Sequence, residues 1–96
     1  MLYSRHRASA FTLRSDVEST ENFETDCLYI ANLETSVISI IDGVGIAIWN
    51  LLEEPIEDID LIAAVAQIFG ETSEVVAEGT LTFLERLQES GFVEIQ

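Results

Sequence analysis

The chain has 96 residues, 48% of them apolar, and a formal net charge of −14 without a single lysine. That apolar share suits one folded domain with one modest core and excludes a disordered tail. So anionic a surface also excludes a phosphate backbone or an anionic membrane face as partner, because both are held by Lys and Arg.

Residues 1–10 show no pattern and are expected to form a flexible arm, leaving 11–96 as the folded domain. Three of the four arginines, Arg5, Arg7 and Arg14, precede residue 15, and no acid does. From Ser15 onward, eighteen acids face one arginine, Arg86. The N-terminal stretch lacks an apolar segment of signal-peptide type, so a soluble, cytoplasmic protein is expected.

Phe11 to Val17 alternates loosely as a first strand, and Ser19 to Glu24 is turn-like. Cys27-Leu28-Tyr29-Ile30-Ala31 is a dense β-type run. A polar connection over Asn32 to Thr35 leads to the β-branched run Ser36 to Ile41. The period changes at Asp42-Gly43. Val44, Ile48, Leu51 and Leu52 recur at helical spacing with Trp49 alongside, until Glu54-Pro55. The run Val37 to Trp49 is broken by Asp42 and is too short to span a bilayer.

A second helix is expected from Glu57 or Asp58. Leu61, Ile62, Val65, Ile68 and Phe69 form its buried stripe, and Gly70 its C-terminal cap. Thr72 or Ser73 caps a third helix, whose apolar positions are Val75, Val76, Phe83, Leu84 and Leu87 and whose stop is Gly91. Phe92 to Ile95 is either a closing strand or a tail packed on the core. The fold class is therefore α+β, a small antiparallel sheet followed by three helices.

No constellation supports catalysis. His6 has no visible nucleophile partner, and Cys27, the lone cysteine, reads as an inert thiol and excludes an internal disulfide. Asp42-Gly43-Val44-Gly45 lacks the third glycine of a dinucleotide site and the Gly-Lys-Ser/Thr of a phosphate loop; its glycines serve a turn and close packing. No acid array has Ca²⁺-loop spacing. No enzyme activity, metal or cofactor is expected.

From Ile41 onward the sequence resembles the PqqD family, also called the RiPP recognition element. The family's strand, glycine turn and I-W-x-L-L segment correspond to Ile41-Asp42-Gly43 and Ile48-Trp49-Asn50-Leu51-Leu52. Its second-helix pattern corresponds to Leu61, Val65 and Phe69. Its F-L-x-x-L-x-x-x-G-L-V ending corresponds to Phe83-Leu84-Glu85-Arg86-Leu87-Gln88-Glu89-Ser90-Gly91-Phe92-Val93. By element order the resemblance covers about residues 11 to 95. Departures are Asp42 for the usual Asn, Glu57 or Asp58 for a Thr cap, and Gly79 or Glu78 where the third helix usually has an acid.

The resemblance implies a winged-helix-like fold: a three-stranded antiparallel sheet, then a three-helix bundle. It also implies a non-catalytic peptide chaperone that binds the leader of a ribosomally made precursor and presents it to a leader peptidase, cyclase or radical enzyme. Lasso-peptide and pyrroloquinoline quinone biosynthesis are the two settings. The peptide is expected to add as a strand along Ser36, Val37, Ile38, Ser39 and Ile40. Its side chains then meet Val75, Val76, Gly79, Thr80 and Phe83 of the third helix. Val75, Val76 and Phe83 fit core or groove equally well.

Two other classes compete. A scaffold would bury the same strand in a homodimer. A winged-helix regulator would read DNA with the third helix, but that helix carries Glu74, Glu78, Glu85 and Glu89 against Arg86, the wrong balance.

Overall fold

The computed structural model describes residues 1–14 and 27–96. The elements run β1 (Leu2–Arg5), β2 (Ser9–Arg14), β3 (Cys27–Asn32), β4 (Val37–Ile41), α1 (Val44–Leu51), β5 (Ile56–Glu57), α2 (Asp58–Phe69), α3 (Ser73–Glu89) and β6 (Val93–Ile95). The fold of the described residues is α+β, with three helices and two small antiparallel sheets. One sheet has the order β2-β3-β4 and the other β5-β1-β6.

The second sheet corrects one expectation and decides between two others. Residues 1–10 are not a loose arm: Leu2–Arg5 is a central strand, pairing Tyr3 with Ile56 on one side and with Ile95 on the other. Tyr3 and Ser4 are buried. The β1 signal was invisible locally because the strand is short and both its partners lie far along the chain. The tail is likewise a strand, β6, tied further by backbone bonds from His6 N to Phe92 O (2.9 Å) and Gln96 N to Leu2 O (2.8 Å).

In the first sheet, β3 alternates as its sequence predicts. Leu28, Ile30 and Asn32 are buried, while Cys27, Tyr29 and Ala31 are half-buried on the opposite face. The first strand is Ser9–Arg14 rather than starting at Phe11. Its expected end at Val17, and the expected turn Ser19 to Glu24, lie outside the described residues.

Helix boundaries follow their chemistry. Gly70 ends α2 in the left-handed conformation (φ 67°), where a side chain is disfavoured. Asp58 and Asp60 in the first turn of α2 complement the helix dipole. Thr72 Oγ1 accepts a 3.4 Å bond from Val75 N at the start of α3. The α2 stripe is narrower than expected: Leu61, Val65 and Ala66 are buried, but Ile68 and Phe69 are exposed. Both stand in the last turn, where Phe69 faces a hollow shared with α1 and α3. Trp49, Leu61, Leu84 and Phe92 form the centre of the core, each almost wholly removed from water. Among the described residues no helix is long and apolar enough to cross a membrane.

Candidate functional site

β4 is an edge strand. It pairs with β3 from Leu28↔Ile41 to Asn32↔Val37, and no described strand covers its other side. Alternate backbone N–H and C=O groups along that side are therefore open to a further strand. The two faces of β4 differ. Ile38 and Ile40 are 70% and 62% exposed on the outer face of the sheet. Ile41 is buried on the inner face, toward α1 and α3.

Three hollows meet at Phe83 of α3. The largest, about 450 Å³, lies among the helices and is lined by Val44, Gly45 and Ile48 of α1, Val65 and Phe69 of α2, and Val76, Gly79, Thr80 and Phe83 of α3. Glu71 is its one charged lining residue. The second, about 210 Å³, lies between the end of β4 and α3, with Ser39, Ile40, Ile41 and Asp42 on one wall and Phe83, Arg86, Leu87 and Ser90 on the other, and Phe92 beside them. The third, about 370 Å³, runs along α3 past Glu78, Gly79, Thr82, Phe83 and Arg86. Phe83 is half-buried, so one ring packs on the core and also lines all three. An apolar hollow among the helices, continued toward an open strand edge by hollows that carry Asp42, Glu78 and Arg86, suits an extended peptide with apolar and polar side chains.

Two local devices set this geometry. Gly45 lets α1 touch its neighbours: a Cβ there would collide with Ile41 Cγ2 and stand 2.9 Å from Phe83 Cζ. Asn32 holds the other end. Its buried amide donates to Gly91 O (2.6 Å) and accepts from Glu34 N (2.8 Å) and Thr35 N (3.1 Å). The β3–β4 turn is thereby tied to the end of α3, which fixes how far β4 stands from that helix. Gly91, at φ 83°, leaves room for the amide.

The residues expected from sequence are distributed unevenly. Phe83, Val76, Gly79 and Thr80 gather around the largest hollow, although Thr80 is buried and contributes only wall. Ser39 and Ile40 line the β4–α3 hollow. Ser36 is not in the strand: it is an exposed turn residue at φ 65°, which places its backbone in the left-handed region. Val37 and Val75 are exposed and line none of these hollows, and Ile38 lines a separate hollow on the outer sheet face with Tyr29 and Ala31. Sequence reasoning missed Ile48, Phe69, Asp42 and Arg86 as lining residues. Of these, Arg86 carried a signal, as the sole cation of the acidic stretch.

Chemistry is otherwise sparse. Among the described residues no group of three or more His, Cys, Asp and Glu side chains is placed to hold a metal ion. Cys27 is half-buried. His6 Nε2 stands 3.9 Å from Glu94 Oε2, and its Nδ1 accepts from Ala8 N at 3.0 Å, an arrangement of the β1–β2 connection against β6 rather than beside a nucleophile.

The sequence pattern of the family described as coenzyme PQQ synthesis protein D (PqqD) matches residues 27–93, from the start of β3 to the start of β6. No curated protein sequence matches the chain. Among solved structures, TbiB1 in complex with the TbiA(beta) leader peptide is similar, with a TM-score of 0.74 over 97% of this chain and 96% of that one at 19% identity. At that identity the likeness is one of fold.

Proposed function

The chain belongs to the PqqD family, and from that premise we propose that it binds the leader segment of a ribosomally made precursor peptide and holds it for a modifying enzyme. The observation that carries the reading is the open edge of β4 standing beside the Phe83-centred trough of α3. A leader would pair its backbone with β4 and seat alternate side chains in the hollows, backbone bonds giving affinity and the hollows selectivity. The fold it shares with TbiB1, a protein solved with a leader peptide, supports the reading. In it the chain is a binding partner and not an enzyme, working in the cytoplasm on a winged-helix-like frame of helices and strands. A leader peptidase, cyclase or radical enzyme would act on the presented peptide. The lasso-peptide setting is preferred over that of pyrroloquinoline quinone, since Asp42 and the acidic surface depart from the commoner pattern.

Titration of fluorescent leader peptides, from precursors encoded beside this gene, tests the proposal. Saturable binding is expected, weakened at least about tenfold by Ile38→Pro, which removes a strand-edge donor. Gly79→Arg should weaken it similarly by filling the trough, since nothing stands within 4 Å of a Cβ at Gly79 to disturb the fold. Absence of binding by every such peptide, together with a stable dimer through β4, would replace this reading with the scaffold.

A further inference from the structure

Arg86 is the only cation after Ser15, in a stretch that holds all eighteen acids. Its place in the last turn of α3 suits the negative end of the helix dipole. That placement does not account for where its side chain lies. Arg86 lines both the β4–α3 hollow and the hollow beside Gly79, which together are the path proposed for the peptide. Among the described residues it forms no ion pair and donates no hydrogen bond, although Asp42 lines the same hollow. A planar fork of five donors is thus left open on an exposed side chain at the rim of the trough.

The geometry points to Arg86 as the residue that selects a carboxylate on the bound peptide; this deepens, and rests on, the strand-addition reading. A guanidinium takes a carboxylate through two parallel hydrogen bonds, which fixes position as well as charge. The remaining charged groups lining these hollows are acids, Asp42, Glu71 and Glu78, and each repels a peptide carboxylate. An acidic side chain on the peptide therefore has one favourable seat. That seat has a register. Arg86 lies three residues beyond Phe83, about 4.5 Å along the helix. Side chains on one face of an extended peptide recur about every 6.6 Å. The acid is therefore expected at the next position on the helix-facing side, two residues from the apolar side chain over Phe83.

The test is a display selection from a random peptide library on the full chain, run in parallel on Arg86→Glu. The unaltered protein is expected to enrich Asp or Glu two positions from an apolar residue, and R86E to enrich Lys or Arg there. For one enriched peptide, exchanging the acid for its amide should weaken binding about fivefold on the unaltered protein and leave binding to Arg86→Gln unchanged. Equal losses on both proteins, or enrichment without an acid, would overturn the role of Arg86. Sensitivity of the same peptides to Ile38→Pro separates the two readings. If that sensitivity persists while the acid is immaterial, strand addition stands and the Arg86 inference falls. If no peptide shows it, both fall. Arg86 is exposed, so its variants are expected to keep the melting profile of the parent.

Discussion

Arg5 shows how much one side chain contributes to joining the two sheets. Its guanidinium carbon lies 4.6 Å from the Phe11 ring centre and 4.7 Å from that of Trp49, between a β2 ring and an α1 ring. The two rings meet edge to face at 5.6 Å. Nη2 donates to Trp49 O at 2.6 Å, so the cation also satisfies a helix carbonyl. Burial pulls its pKa below the ordinary guanidinium value, and the Glu53 carboxylate opposes that. Arg5 Nε and Trp49 Nε1 are buried without a hydrogen-bond partner among the described residues, which offsets part of the gain. Arg5→Ala is expected to lower stability by about 2 kcal/mol, from two cation–π contacts and one charged hydrogen bond. Arg5→Lys should recover less than half of that, because an ammonium cannot stack as a plane. Urea denaturation with an unchanged slope measures both, and a loss on Arg5→Ala below about 0.5 kcal/mol would reduce the residue to surface charge.

At the scale of the elements, two glycines that look alike in the sequence have opposite roles. Gly45 is where α1 presses onto β4 and α3, and a methyl there meets Ile41 and Phe83. Gly45→Ala is expected to cost about 1–3 kcal/mol by overpacking. It should also weaken leader binding, because the ring that must yield is the one all three hollows share. Gly79, on the exposed side of α3, has nothing within 4 Å of a Cβ. Gly79→Ala is expected to raise stability by about 0.5–1 kcal/mol through helix propensity alone. Thermal melts of the two variants should move in opposite directions, and a shared direction would show that the glycine packing is misread. The pair also explains why site residues were partly legible. Period identified α3 and its apolar positions, but whether Val75 or Val76 turns inward depends on what α1 and α2 bring against that face.

For the whole molecule the governing quantity is the charge of −14. Few of the acids among the described residues are compensated: the ion pairs between those residues involve only the N-terminal amine, with Glu57 and Asp58, and His6 with Glu94. Self-repulsion then works against the compact state and is screened by salt. The melting temperature is expected to rise as NaCl increases from about 10 mM to about 200 mM, where the Debye length shrinks from about 30 Å to below 10 Å. A flat or falling profile in scanning calorimetry would mean that the acids are paired more fully than this geometry implies. The same repulsion opposes association of two copies through β4.

The sequence alone determined the order and kind of most elements, because capping residues, glycine stops and the change of period at Asp42-Gly43 are local signals. It also determined the family, through Ile48-Trp49-Asn50-Leu51-Leu52 and the segment from Phe83 to Val93. Only the tertiary structure decided that residues 2–5 form the central strand of a second sheet, since β5 and β6 lie more than fifty residues away in sequence. It alone placed Ser36 in a turn, sent Ile38 to the far face of the sheet, and brought Arg86 beside β4. Local patterns report which face of an element is apolar. What that face meets is decided by contacts between distant segments, and the trough beside β4 is made of such contacts.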